Sequence, residues 1–308
     1  MSYIRFGLMI LTSAVVMLIL MYLNTYAWEH LFFSETRAYM AILMGAAMAI
    51  VMLAYMLGMY ANGPLNLAIF VGAAIVFALS LWLVRSQVTV SGPSYMRAMI
   101  PHHSIAILTS ERAQIRDPRV RKLADEIISA QRREIAEMRW LIAEVAAGRT
   151  VDSIYQDPPA APGTVAQALD NTLVSHLDPA PVPKADAAPM LGTADRCAFR
   201  RSPASHPILW AAQDGSTAVM QLNGVLLQLD GAGRTGGLSA EYRTEGARVV
   251  VRPLGEAADW RADAELVFTL GTGLSAGYRG FYRCGDPEPS NQQAVGVAVG
   301  GRLPHLLN

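Results

Sequence analysis

Charge is nearly missing from the first 85 residues, where Arg5, Glu29, Glu35, Arg37 and Arg85 are the charged side chains. Over the whole chain basic and acidic residues balance, 25 against 25, for a formal net charge of zero. No surplus of one sign is left to hold a polyanion, so nucleic acid is not an expected partner. Cysteine is scarce: Cys197 and Cys284 stand far apart, and neither belongs to a CxxC or CxxxC pair. That spacing argues against a zinc or thioredoxin-type site. A single long-range disulfide fits better than two unrelated buried thiols, and it requires an oxidising compartment. Absent as well is any Ser-His-Asp or Cys-His nucleophile set or facing pair of carboxylates, so no catalytic residue is assigned.

What is present comes in blocks. A 52% hydrophobic content with 16% charged residues is what a membrane part joined to an ordinary soluble part produces. Apolar runs over about 6–23, 38–58 and 65–84 each match the ~20 residues that cross ~30 Å of hydrocarbon. Tyr22, Tyr26, Trp28, Tyr39, Tyr60 and Trp82 gather at their ends, the level where amphipathic rings sit. No small-residue cleavage site follows the first run, so it is read as a span and not a removed leader. Arg5 favours an inside amino terminus, Arg37 and Arg85 oppose it, and the expected disulfide decides for soluble parts outside the cytoplasm. The expected location is a bacterial inner membrane, crossed several times, with periplasmic carboxy-terminal domains.

Beyond residue 90 the pattern is that of two water-facing helices, over about 93–115 and 118–147. Asp117-Pro118 caps the second and Gly148 stops it. Its apolar positions, among them Val120, Leu123, Ile127, Ile135, Met138 and Ile142, recur at helical spacing and await a partner. Residues 149–195 are rich in Pro and Ala and read as a semi-extended linker with room for a short helix over 164–177. Short strand patterns follow over 208–212, 217–222, 225–229, 247–253, 264–270 and 276–283, with Asn223-Gly224 the best hairpin turn. The expected fold class is therefore a multidomain membrane protein. Three transmembrane helices fill 1–90, an all-α hairpin 91–148, the linker 149–195, a small antiparallel all-β sandwich or barrel 196–290, and a tail 291–308. In the β-domain Cys197 on the first strand is expected to meet Cys284 at the end of the last.

One face carries chemistry. Met96, Met99 and His103 fall together on the first soluble helix with His102 at the edge, and Gln131, Glu134 and Met138 lie along the facing stripe of the second. Packed together they form a pocket of thioethers, imidazoles and one carboxylate, donors that select copper and above all Cu(I). The plainer alternative is that the methionines fill core gaps and the histidines are solvated. Met40, Met44, Met48, Met52 and Met56, four apart along the second span, make a thioether ridge that reads either as a Cu(I) path or as filler beside Gly45, Ala46 and Ala49. Glu29, His30 and Glu35 offer further ligands in the first loop.

The MxxMxPHH run of residues 96–103, with Gln131-Arg-Arg-Glu-Ile-Ala-Glu-Met138, resembles the domain of unknown function 305 family. The spans, with Met21-Tyr-Leu-Asn-Thr-Tyr26 and Ser34-Glu-Thr-Arg37, resemble the membrane part of three-span members of that group. The resemblance implies a ferritin-like helical fold outside the cytoplasm and, for some members, copper binding linked to metal tolerance. It points to Met96, Met99, His102, His103, Gln131, Glu134 and Met138 as ligands and brings no catalytic activity. Gly277-Tyr-Arg-Gly-Phe-Tyr-Arg-Cys284 is similar, in strand pattern and cysteine placement alone, to small periplasmic β-domains such as membrane-bound lysozyme inhibitors. The leading expectation is a membrane-anchored copper-binding protein acting by sequestration. Its rival is an anchored interaction or oligomerisation module whose β-domain binds an envelope partner. About 50 residues bury little apolar surface, so the hairpin is expected to dimerise or to pack on the spans.

Overall fold

The computed structural model describes residues 2–159, 162, 170–174, 177–192, 196–233 and 238–285. The helix expected over 164–177 falls largely outside the described residues, and the tail over 291–308 wholly so. Three helices, α1 (Tyr3–Leu20), α2 (Glu35–Tyr55) and α3 (Gly63–Ser86), are long and apolar enough to cross a membrane. Each starts within four residues of its expected position. Side chains of Ser34 and Asn62 cap α2 and α3 by accepting backbone N–H groups of Arg37 and Leu65. Small residues set the α1–α2 distance: a Cβ on Gly45 would stand 3.3 Å from that of Ala14. The five methionines of the α2 ridge are all half-buried, and Met52 and Met56 pack against the cluster of Phe6, Leu53 and Tyr60. Tyr3 reaches Asn66 with its hydroxyl (2.8 Å), tying the amino terminus to the α2–α3 turn. The α1–α2 loop therefore lies at the opposite end of the bundle, with everything that follows α3.

An antiparallel pair comes next, α4 (Gly92–Arg112) and α5 (Pro118–Ala146). Ser91 and Ser94 exchange capping contacts at the start of α4, and the helix runs through Pro101 without ending. Asp117 caps α5 as the Asp-Pro pair predicts, and Gly148 leaves it at φ +75°. One face of α5, with Ile135 and Met138, packs on Met96, Ile100 and Ile107 of α4. The pair supplies two of the four helices that a ferritin-like bundle contains.

The β-domain is a barrel. Its strands are β2 (Arg196–Arg200), β3 (Leu209–Ala212), β4 (Thr217–Leu222), β5 (Val225–Gly231), β6 (Ala240–Thr244), β7 (Ala247–Pro253), β8 (Ala264–Leu270) and β9 (Ser275–Cys284), preceded by a two-residue β1 (Pro179–Ala180) on β4. Each strand from β2 to β9 pairs antiparallel with the next, and β9 returns to pair with β2, closing an eight-stranded up-and-down barrel. Closure removes the free edges that would recruit other strands. Asn223 and Gly224 take φ of 49° and 81°, the left-handed pair that a two-residue hairpin turn needs. Alternation sorts the strands: Leu209, Ala211, Ala218, Met220, Val249, Val251, Leu266 and Phe268 fill the barrel. Cys197 lies opposite Cys284 in the closing pair and the two form a disulfide, as expected. Joining residues 87 apart across the seam contributes about 2–4 kcal/mol.

The segment read as a linker is ordered in its second half. Helix α6 (Lys184–Leu191) lays Ala187 and Leu191, with Val182, against Trp210 and Val219 on the outer wall of the barrel. The Trp210 indole N–H donates to the carbonyl of Val182 (2.9 Å). The reading as a semi-extended linker did not include this docking, which comes from Val182, Ala187, Met190 and Leu191 landing on one patch.

Candidate functional site: the helical hairpin and its junctions

Of the seven residues on the expected metal-binding face, the fold gathers the three thioethers in one cluster and pairs His103 with Glu134. Met96 and Met138 are buried and Met99 half-buried in one apolar cluster, with Ile100, Ile107 and Ile135 and with Tyr26 and Phe32 of the α1–α2 loop. His103 turns to α5, where its Nδ1 lies 3.0 Å from Oε2 of Glu134. The pair is at ion-pair distance but not aligned as a hydrogen bond, so Nδ1 is a buried ring nitrogen without a directed partner. Burial pushes the His103 imidazole below its ordinary value, Glu134 opposes that and His102 adds to it, so the ring is neutral at neutral pH. His102 is exposed, its ring centroid 6.0 Å from that of His103. Gln131 is half-buried on α5.

An imidazole beside a carboxylate, with Met99 one helical turn away on α4, is a donor set that fits a soft metal. Among the described residues no group of three or more His, Cys, Asp or Glu side chains is placed to hold an ion. Any site on this hairpin would therefore lean on its methionines.

The strongest polar structure was not foreseen. The α1–α2 loop folds back over the hairpin: Tyr26 donates its backbone N–H to Ser104 Oγ (2.8 Å), and His30 Nδ1 lies 2.9 Å from the same oxygen. His30 is buried, and burial, with Arg139 and Arg132 acting the same way, lowers its pKa to about 3. It is a docking residue of the loop and not a surface ligand. Arg139 of α5 is 4% exposed, and neither terminal nitrogen has a hydrogen-bond partner among the described residues. Burial lowers its pKa to about 10; Glu29 and Asp259 act against that, Arg261 and Arg279 with it. On the barrel side Arg261 donates to the carbonyl of Leu31 (3.0 Å) and stacks 4.4 Å from the ring of Phe32.

A second junction joins α5 to the barrel. Asp178 bridges Arg133 of α5 (2.6 Å) and Arg201 just after β2 (3.2 Å). Arg201 is buried, stacks 4.7 Å from the ring of Tyr278 and donates to the carbonyl of Pro179 (2.6 Å). Trp140 covers Gly277 of β9, where an added Cβ would stand 2.3 Å from the indole ring. Only glycine admits that approach. Ala136 joins the apolar cluster of the barrel.

Fold and junctions together define a class: a three-span membrane protein whose helical hairpin is clamped between its first membrane loop and a disulfide-closed β-barrel. Residues 93–190 match the family model of a domain of unknown function, DUF305, and residues 143–287 match that of another, DUF6692. The two matches overlap over 143–190, a stretch that holds the end of α5, Asp178 and most of α6. An uncharacterized protein, L153, of Acanthamoeba polyphaga mimivirus is 35% identical over 71 residues, 22% of this chain and 47% of that protein. The chain thus spans about half the length of that curated relative. No solved structure matches.

Proposed function

We propose that this is a membrane-anchored copper-binding protein of the bacterial envelope, holding Cu(I) for sequestration or tolerance with its hairpin and barrel on the periplasmic side. The observation that carries the reading is His103, 3.0 Å from Glu134 and one helical turn along α4 from half-buried Met99. His103, Glu134 and Met99 are the first residues to hold the ion, with His102, Met96, Gln131 and Met138 completing the set the DUF305 resemblance indicates. The disulfide supports a periplasmic placement, because reduced compartments do not keep one.

A second reading is favoured by a different observation: Met96 and Met138 are buried among Ile100, Ile107 and Ile135, as ordinary core residues are. In that reading the chain is an anchored interaction or oligomerisation module, and the barrel binds an envelope partner. Anaerobic titration of the detergent-solubilised full chain with Cu(I), in competition with a chromogenic chelator, separates the two. Tight binding lost in a Met99→Leu/His103→Ala variant that keeps its thermal transition supports copper handling. No binding within the chelator's reach, or binding that the double variant retains, sinks this site and leaves the interaction module.

A further inference from the structure

A cavity of about 560 Å³ lies between the last turn of α1 and the loop that follows, within the ~300–1,000 Å³ range of ligand sites. Its wall is apolar and aromatic, including Ile19, Tyr22, Leu23, Trp28, Leu31 and Phe32. Ile19 and Leu23 are 59% and 67% exposed at the end of a helix that is long and apolar enough to cross a membrane. Hydrocarbon is the solvent that covers such residues, so the cavity is continuous with the bilayer-facing surface of α1. Its depth, at the end of a span among Tyr22, Tyr26 and Trp28, is the headgroup level. An apolar cavity of this size is poorly filled by water, and its wall offers few polar groups to orient a polar ligand.

We propose that this cavity holds one acyl chain of a bilayer phospholipid, and that the chain braces the loop gripping the soluble domains. That grip consists of contacts made by the loop itself: Tyr26 and His30 on Ser104 of α4, and the Leu31 carbonyl and Phe32 ring on Arg261 of the barrel. Lipid occupancy thereby couples the membrane to the placement of hairpin and barrel, whether or not metal binds. A phospholipid chain fits better than a polar-headed ligand because, Thr25 apart, the lining is mainly hydrocarbon and ring faces.

The test uses the full chain in vesicles of phosphatidylethanolamine and phosphatidylglycerol doped with a phospholipid bearing a diazirine on its acyl chain. After dilution into detergent, photolysis and peptide mapping distinguish retained from exchanging lipid. The expected result is label persisting on residues 19–33 and vanishing from Leu67 and Val71, which are exposed on α3. Ala27→Trp, which fills the cavity, is expected to abolish the persistent label while the barrel keeps its thermal transition. Should that variant misfold, the comparison of 19–33 with α3 in the wild type decides alone. Equal loss of label from both segments overturns the proposal, as does an absence of lipid adducts on 19–33 in the vesicles themselves.

Discussion

His30 and Arg139 are both buried bases, and the Arg139 charge adds to the cost of charging His30. In the folded chain His30 has its pKa near 3, against 6.5 when free, so the fold holds the neutral ring. Its contribution is complete above pH 6.5 and is lost as pH falls from there toward 3, because the unfolded chain binds the proton that the folded one refuses. The slope is at most about 1.4 kcal/mol per pH unit. Thermal unfolding across that window is expected to show this decline in the wild type and a flatter one in His30→Gln; identical slopes would refute it. Arg139→Met makes the companion prediction. A buried guanidinium with unpaired terminal nitrogens loses more in desolvation than it recovers, so the change is expected to stabilise the fold by about 1–4 kcal/mol. With that charge gone the His30 transition moves to higher pH, which proton NMR of the imidazole reads directly. Neither residue announced its role in the sequence. His30 looked like a loop ligand and Arg139 drew no assignment, because burial on the outer side of α5 is imposed by parts of the chain far from it. The helical spacing that gathered Met96, Met99 and His103 was legible, yet it does not say that the thioethers face the core and the imidazole faces Glu134.

At the level of elements, the length of the apolar runs placed the spans, and periodicity placed α5 and most strands because those segments bury one regular face. It missed β6, where Ala240 and Tyr242 point inward between Glu241 and Arg243. Five residues with two charges, after a Gly-rich run, read as a loop until β5 and β7 are beside them. The linker failed for a related reason: its order comes from docking, through Val182, Ala187 and Leu191, and through Asp178. Asp178 holds the hairpin to the barrel, since it is the carboxylate between Arg133 and the buried Arg201. Asp178→Ala leaves the Arg201 guanidinium with the Pro179 carbonyl as its remaining hydrogen-bond acceptor. Stranding a buried charge costs about 3–5 kcal/mol. The expected outcome is a lower thermal midpoint together with faster amide exchange in the second half of α5, where Ala136 and Trp140 meet the barrel. An unchanged exchange rate there would mean that apolar contacts alone hold the junction.

For the molecule as a whole, the hairpin is too small to stand by itself, and its completion comes from the membrane side. Tyr26 and Phe32 pack on the Met96–Ile100–Ile135 cluster, and Tyr26 and His30 close over Ser104, which is fully buried. Dimerisation and packing on the spans were equal expectations from sequence. In the structure the α1–α2 loop, which joins two of the spans, packs on the hairpin, a contact between residues more than 70 positions apart that no local pattern encodes. A fragment beginning at residue 91 keeps α4, α5 and the barrel but uncovers the face on which Tyr26 and Phe32 sat. Exposed apolar surface of that kind seeks another cover. The fragment is therefore expected to self-associate in sedimentation and to melt below the full chain in detergent. Ile100→Glu should abolish that association, since it places a charge at the centre of the uncovered cluster. A fragment that stays monomeric and melts with the full chain would show that the loop rests on the hairpin without completing it. In that event the barrel contacts through Asp178 and Trp140 would be enough to hold the two helices in place.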